Sequence, residues 1–205
     1  MAQFAGAVDI TLGADVEGGY ANIPADRGGE TYRGIARVMH PDWIGWPRLD
    51  AWKAKVGVRG LDGNAVHEDL DASVREFYRI EFWNRVRGDE ITSQSVANCL
   101  FDVAVNNGVG AAIPILQRAL NILNRCDSDV GRWPDVSVDG DFGKRTMDVL
   151  NVALQHDAEV LVLWMVFVRG SILVGIMERR ESQEAFARGW GKRLAGFIRR
   201  FYAGQ

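Results

Sequence analysis

Apolar residues recur at three- and four-residue steps along most of the chain, and this spacing predicts a mostly helical fold. Near the N-terminus, Phe4, Val8 and Leu12 fall on one face of a helix. Further helices are predicted from Asn64 to about Arg85, from Ser93 to about Asn107, from about Ala111, from about Lys144 to Gln155, from Ala158 to about Glu181, and from Gln183 onward. Pro114 is expected in the first turn of its helix, where a missing N–H is tolerated.

The first predicted helix ends at Gly18 and Gly19, because paired glycines favour a C-cap and disfavour a helix interior. Glu17 therefore falls in the last helical turn, at the negative end of the helix dipole. We expect the dipole to raise the pKa of this carboxyl group, and apolar neighbours would raise it further. A carboxyl group that stays protonated near neutral pH can act as a general acid.

Asp26 and Thr31 follow in a polar segment that Pro24 and the nearby glycines force to turn. An acid at a helix end, followed by an Asp and a Thr on a turning segment, suits the cleavage of a glycosidic bond. One carboxyl group would protonate the leaving oxygen, and the second group would stabilise positive charge on the sugar or orient water. A helix end followed by a solvated polar loop fits the same spacing, so spacing alone leaves both interpretations open.

This segment also carries a motif, formed by Glu17-Gly18-Gly19-Tyr20, Asn22, Pro24, Asp26, Gly28-Gly29, Thr31 and Gly34-Ile35. The motif resembles the signature of glycoside hydrolase family 108, the N-acetylmuramidases of phage endolysins and bacterial prophage relatives. Its continuation over residues 30–46 is similar to a branch of that family described as secretion activator proteins. Further similarities near residues 101–106, 139–146 and 186–193 extend the resemblance over nearly the whole chain.

The resemblance implies that Glu17 is the catalytic acid and that the loop with Asp26 and Thr31 lines a substrate cleft. Three departures concern the same loop. Ile23 and Ala25 stand where family members often carry acidic or amide residues, and Arg27 stands where proline is frequent. They leave the catalytic acid in place but weaken any claim that this loop supplies several carboxylates.

Four further residues are predicted to contact the substrate: Tyr20, Asn22, Tyr32 and Asn106. The two tyrosines lie within the motif, and aromatic rings can stack on sugars. Asn106 closes a segment that resembles the family's second-lobe signature, a peptidoglycan-binding module, where its amide would serve either backbone groups or sugar. A tryptophan cluster over residues 43–52 fits either the core or a saccharide-lined cleft.

The composition is that of an ordinary soluble protein, with 47% apolar residues, 25% charged residues and a net charge of −3. This balance gives no general attraction to nucleic acid. Residues 169–205 hold eight basic residues against three Glu, which predicts a solvated helix face or a weak contact with an anionic cell envelope. Cys99 and Cys126 both lie in apolar helical patterns, so we expect buried free thiols.

One stretch invites a membrane interpretation, because residues 160–177 contain a single charge, Arg169, at their centre. A charge at the middle of a bilayer costs at least about 2.5 kcal/mol. A helix buried within the protein accounts for the same composition more easily, so no integral membrane segment is predicted.

Neither a metal nor a cofactor is predicted. The three histidines lack metal-ligand spacing. Acids alternate over residues 135–141 as in a calcium loop, but Thr146 stands where such a loop requires a bidentate Glu. The resemblance accounts better for Asp139-Gly140, Gly143 and Thr146, which match the turn that opens a helix in peptidoglycan-binding modules.

The sequence thus predicts a mostly α, lysozyme-like fold of two lobes with an irregular active-site loop or a small β-hairpin. Residues 1–90 would form the catalytic lobe, and residues 91–205 a helical lobe that resembles a peptidoglycan-binding domain and packs against the first. The predicted activity is hydrolysis of the β-1,4 bond between N-acetylmuramic acid and N-acetylglucosamine in peptidoglycan, by a monomer. A lytic transglycosylase and a non-catalytic wall-binding or secretion-associated protein remain alternatives.

The N-terminus has no basic region followed by an apolar one, so we expect no signal peptide. The protein would then be made in the host cytoplasm. The resemblance to endolysins implies release to the cell wall through a holin.

Overall fold

The computed structural model describes residues 1–12, 19–22, 29–57, 68–124 and 133–203 of the chain. The chain forms two compact units, one made of Met1–Ala7 with Phe82–Gln205 and the other of Val8–Glu81. Helices predominate, and a small three-stranded antiparallel sheet accompanies them. The predicted mostly α fold is therefore confirmed.

The chain begins with helix α1, Phe4–Leu12, at the position that the apolar spacing predicts. The smaller unit then contains strands β1 (Tyr20–Asn22), β2 (Glu30–Tyr32) and β3 (Ile35–Ala36), followed by helices α2 (Trp46–Val56) and α3 (Glu68–Tyr78). The strands follow the order β1-β2-β3, and both pairings are antiparallel.

Helix α3 holds the tight turn between β2 and β3. The two turn residues, Arg33 and Gly34, have φ angles of 45° and 81°, which is the backbone of a two-residue hairpin turn. The hydroxyl of Tyr78 donates a hydrogen bond of 2.9 Å to the carbonyl of Arg33. The guanidinium of Arg33 in turn donates to Asp71 at 2.8 Å. A residue with a side chain is thereby kept in a left-handed conformation that it rarely adopts.

The larger unit is helical. The chain re-enters it within a π-helical turn, Arg79–Trp83, and a 3-10 turn, Gly88–Glu90, then precedes α4 (Gln94–Asn107) and α5 (Val109–Leu123). After the segment that follows Asn124 come α6 (Lys144–His156), α7 (Ala158–Arg179), a 3-10 turn (Glu181–Phe186) and α8 (Ala187–Ala203).

Several predicted helix ends are confirmed, and two are wrong. Ser93 caps α4, accepting a hydrogen bond from the amide of Val96. The helix expected to run to Arg85 ends earlier, because the π turn replaces its last part. Gly108 has a φ of 85°, which lets α5 start directly after α4. Pro114 consequently lies inside α5 and not in its first turn. The predicted cap at Asn64 lies outside the described residues.

The N-terminal residues are anchored in the larger unit. The amide of Ala2 donates to the carbonyl of Ile91 at 2.7 Å. The backbone of Gln3 exchanges two hydrogen bonds with the side chain of Gln94. The ring of Phe4 contacts two further aromatic rings, with centroid distances of 5.7 Å and 5.8 Å.

The core of the larger unit is formed by α4, α5 and α7. By length and composition α7 could cross a membrane. Its central charge, Arg169, is buried and donates a hydrogen bond of 2.7 Å to the buried carboxylate of Asp102. Cys99 is a buried free thiol, as predicted. Cys126 lies outside the described residues.

Candidate active site

Of the three predicted catalytic residues, Thr31 lies within the described part of the chain. Glu17 and Asp26 lie outside the described residues. In the chain, Glu17 stands three positions before β1, and Asp26 belongs to the connection between β1 and β2. Thr31 is the central residue of β2. The described strands therefore frame the motif on which the sequence interpretation depends.

The sheet register separates the predicted site residues onto two faces. The cross-strand pairs are Tyr20 with Tyr32, Ala21 with Thr31, and Asn22 with Glu30. Because successive side chains in a strand point to opposite faces, paired residues share a face. The three predicted substrate contacts of this segment thus lie on the face of Glu30, and Thr31 lies on the opposite face.

The face of Thr31 is lined by small side chains. Ala21 pairs with Thr31 from β1, and Ala36 pairs with it from β3. The hydroxyl of Thr31 donates a 3.4 Å hydrogen bond to the carbonyl of Gly29, which precedes β2. Thr31 is half-buried and Ala21 is exposed. This hydroxyl therefore lies beside the start of β2, on a face that its neighbours in the sheet do not cover.

Tyr32 belongs to the core of the smaller unit. It is 3% exposed and stacks on Trp43, with ring centroids 6.2 Å apart and an angle of 23° between the planes. Burial raises the pKa of its phenol. Trp43 and Trp46 are also buried, so two members of the tryptophan cluster are core residues. In this arrangement the ring of Tyr32 offers no face to a sugar.

Tyr20 is half-buried and has three polar neighbours, Glu30, Asn22 and Lys53. Its hydroxyl is hydrogen-bonded to the side chains of Glu30 and Asn22. The ammonium of Lys53 lies 5.5 Å from the centre of its ring, within the range of a cation–π contact. Burial, followed by the bond to Glu30, raises the pKa of the Tyr20 phenol.

Four charged residues beside Tyr20 form an ion-pair cluster: Glu30, Arg37, Asp50 and Lys53. Lys53 bridges both carboxylates, at 2.8 Å from Asp50 and in direct contact with Glu30. Arg37 also bridges them, with Nη2 2.8 Å from Asp50 and Nε 2.8 Å from Glu30, the latter as an ion pair without a well-aligned hydrogen bond. The guanidinium of Arg37 lies over the ring of Trp46, 4.4 Å from its centre.

The charges of the cluster support one another. Hydrogen bonds from Arg37 and Lys53 lower the pKa of Asp50. The bond to Asp50 likewise raises the pKa of Arg37. Burial alone would lower the pKa of Lys53, but its bonds to Asp50 and Glu30 outweigh burial and raise it. Arg37, Asp50 and Lys53 therefore stay ionised near neutral pH.

Glu30 belongs to the continuation of the motif over residues 30–46, and the sequence predicts no individual role for it. Its side chain is 12% exposed, whereas that of Asp50 is 46% exposed. A charged carboxylate in so sheltered a position needs partners. The sequence signal was present as alternation, because positions 30 and 32 share a face in any strand. A strand of three residues is too short to show that period by itself.

Asn106 lies in the larger unit, in the last turn of α4. Its amide donates to the carbonyl of Asp102 at 2.8 Å and to the carboxylate of the same residue at 3.3 Å. That carboxylate also accepts from Arg169 and Arg193. Of the two roles predicted for Asn106, these contacts match the one that serves backbone groups.

The segment of residues 135–141, in which acids alternate as in a calcium loop, forms a turn that is closed by hydrogen bonds. Oδ1 of Asp139 accepts from the amide of Asp141 at 2.9 Å and from buried Gln117 at 2.8 Å, and these bonds lower the pKa of Asp139. Gln117 also contacts the hydroxyl of Thr146 at 3.3 Å. Across the residues that the structure describes, no three His, Cys, Asp or Glu side chains come together as a metal site would require.

Comparisons with known proteins relate the chain to two sequence families and to a solved structure. Residues 11–108 match the sequence model of the family Glycosyl hydrolase 108, and residues 111–195 match that of a predicted peptidoglycan domain. The solved structure of Brucella abortus SagA is similar over 98% of this chain and 94% of its own, with a TM-score of 0.62 and 24% identity. No curated protein sequence matches significantly.

The structural similarity bears on the fold, and it confirms the predicted lysozyme-like architecture. The two family matches confirm the predicted resemblance. They support a glycoside hydrolase that acts on peptidoglycan.

Proposed function

Because residues 11–108 match the sequence model of the family Glycosyl hydrolase 108, we propose that this protein is an N-acetylmuramidase. It would cleave the β-1,4 bond between N-acetylmuramic acid and N-acetylglucosamine, with Glu17 as the general acid. The single observation behind the proposal is that the family match spans the segment in which this acid, Asp26 and Thr31 occur together. The peptidoglycan domain that follows fits the same polymeric substrate.

In this mechanism Glu17 protonates the oxygen of the leaving sugar, and positive charge develops on the sugar ring that remains. Asp26 stabilises that charge or orients the attacking water. The hydroxyl of Thr31 acts on the same water from the small-residue face of the sheet. Its bond to the carbonyl of Gly29 is long, at 3.4 Å, so the hydroxyl can exchange this partner for a water molecule.

Replacing Glu17 by Gln tests the assignment of the acid. General acid–base catalysis typically contributes about 10²- to 10⁴-fold, so Glu17→Gln should slow the release of muropeptides by at least about 100-fold. Its circular dichroism spectrum and melting temperature should stay close to those of the wild type. Glu184→Gln provides the matched control, because it makes the same chemical change at an exposed position in a 3-10 turn. Activity of Glu17→Gln within a few-fold of the control would remove Glu17 from this role.

The chemical ends of the products test the reaction type. A hydrolase leaves reducing N-acetylmuramic acid ends, which mass spectrometry of digested peptidoglycan would detect. Ends of the 1,6-anhydro type would instead identify a lytic transglycosylase. A protein that sediments with peptidoglycan but releases no fragments would be a wall-binding protein, and the proposed hydrolysis would then be wrong.

A further inference from the structure

The small sheet depends on side chains from outside it. Strands of two and three residues bury little surface, and an isolated hairpin of this size is at best marginally stable in water. A shift of one residue in pairing would also move every side chain to the opposite face. The face that Thr31 occupies must therefore be fixed by anchors on the other side of the sheet.

Three anchors hold β2 and the turn that follows it, and two of them, Glu30 and Tyr32, lie on the face opposite Thr31. Tyr32 stacks on Trp43 in the core. The turn at Arg33 is held by α3. Glu30 is held by the two cations of the ion-pair cluster, Lys53 and Arg37.

Among these anchors, Glu30 stands nearest to the connection that carries Asp26. It pairs across the ladder with Asn22, the last residue of β1, and both side chains engage the hydroxyl of Tyr20. The backbone carbonyl of Glu30 accepts a further hydrogen bond of 2.8 Å from the amide of Arg37. Glu30 thus ties β1, β2 and α2 together at the end of the hairpin where the connection leaves.

We propose that Glu30 is a positioning residue of the active site, which fixes β2 through Lys53 and Arg37 so that the adjacent Thr31 presents its hydroxyl on the opposite face. The assignment rests on the proposed muramidase function for its catalytic consequence. The ion pairs of Glu30 with Arg37 and Lys53 hold β2, and they are sheltered from solvent because the side chain of Glu30 is 12% exposed. Glutamine has nearly the same shape but no charge, so Glu30→Gln removes this attraction without opening a cavity.

The kinetic test compares kcat and KM on soluble peptidoglycan fragments. Small misplacements of reacting groups can cost about 10²-fold, so Glu30→Gln should lower kcat by about 10- to 100-fold and leave KM within about 3-fold. Asp50→Asn is the matched control, because it removes the other carboxylate of the cluster from α2 and leaves Glu30 with both cations. This control should keep kcat within about 2-fold of the wild type.

A double variant separates positioning from a general loss of stability. If Glu30 acts through Thr31, Glu30→Gln should lower kcat by no more than about 2-fold in a Thr31→Val background, because residues that act as a unit are not additive. A full, additive loss in that background would overturn the proposal. So would a Glu30→Gln variant with the kcat of the wild type.

Amide hydrogen exchange gives a readout that does not depend on activity. Exchange at residues 20–22 and 30–32 should be faster in Glu30→Gln than in wild type and also faster than in Asp50→Asn, while exchange in α4 and α5 stays the same. Should the wild type release no muropeptides, the proposed function fails, and exchange alone then decides whether Glu30 holds the sheet. Unchanged exchange at β1 and β2 in Glu30→Gln would overturn the positioning role in either case.

Discussion

Replacement of Asp102 by Asn should destabilise the larger unit more than replacement of either charged residue that contacts it, Arg169 or Arg193. The side chain of Asp102 is 2% exposed, and that of its partner Arg169 is 5% exposed. Removing the carboxylate leaves a guanidinium in the core without a counter-ion. The loss of one partner from a buried ion pair costs about 3–5 kcal/mol.

The companion variants make this prediction specific. Arg193 also contacts Asp102, but its side chain is 23% exposed, so Arg193→Gln should cost about 1 kcal/mol or less. Replacing both buried partners, as in Asp102→Leu with Arg169→Met, should restore part of the stability lost in Asp102→Asn, because an apolar pair leaves no buried charge.

Urea unfolding followed by tryptophan fluorescence and by circular dichroism would measure these differences, provided that the two probes agree. The loss expected for Asp102→Asn corresponds to a fall in melting temperature of about 6–20 °C for a chain of this length. The reasoning would be refuted if Asp102→Asn stayed within about 1 kcal/mol of the wild type, or if Arg193→Gln were equally destabilising.

Three further predictions concern other parts of the chain. Gly34→Ala should destabilise the protein by more than Gly57→Ala, measured by urea unfolding. Both glycines have positive φ, but a Cβ at position 34 would lie 2.6 Å from the phenol oxygen of Tyr78, whereas the described residues place no atom within 4 Å of a Cβ at position 57. Equal losses would show that backbone strain alone matters. Asp50→Asn should cost about 0.5–1 kcal/mol at pH 7, and because hydrogen bonds lower the pKa of Asp50 from 3.8, this difference should vanish as the pH falls below that value. A difference that persists in acid would exclude the ion pairs as its source. In a Cys126→Ser background, Cys99 should not react with a thiol reagent at pH 8 until the protein unfolds, because burial raises its pKa from 9.0 to about 12. The stability of the protein should also fall above pH 9, where the thiol ionises in the unfolded chain but not in the folded one. Rapid labelling of the folded protein would contradict this burial.

The helices could be predicted well from the sequence, because their apolar faces repeat over many turns. The predicted starts of α6 at Lys144 and of α7 at Ala158 match the structure. The apolar stretch of α7 was predicted to be a buried helix; Phe167 and Val174 are half exposed on it, but its central charge, Arg169, is buried. Its charge partner could not be predicted, since Asp102 lies 67 positions away along the chain and no local pattern connects the two residues.

The candidate site was harder to predict, since it depends on the register of very short strands. The sequence places Tyr20, Thr31 and Tyr32 in one short segment. Only the pairing of β1 with β2 shows that the two tyrosines share one face of the sheet and that Thr31 lies on the other. Burial of Tyr32 likewise follows from its contact with Trp43, 11 positions away. The role of Glu30 depends on two cations, Arg37 directly after β3 and Lys53 on α2. No spacing rule relates these residues to Glu30 in the sequence.

The path of the chain through the two units has a consequence for biosynthesis. The first seven residues belong with residues 82–205, so the smaller unit is an insertion within the larger one. On the ribosome, the N-terminal segment emerges first but finds the partners of Ala2 and Phe4 only after some eighty residues more have been made. The smaller unit, by contrast, draws on one continuous stretch and can condense early. Deletion of the first few residues should therefore destabilise the larger unit, which is completed last, although in the sequence these residues directly precede the smaller unit.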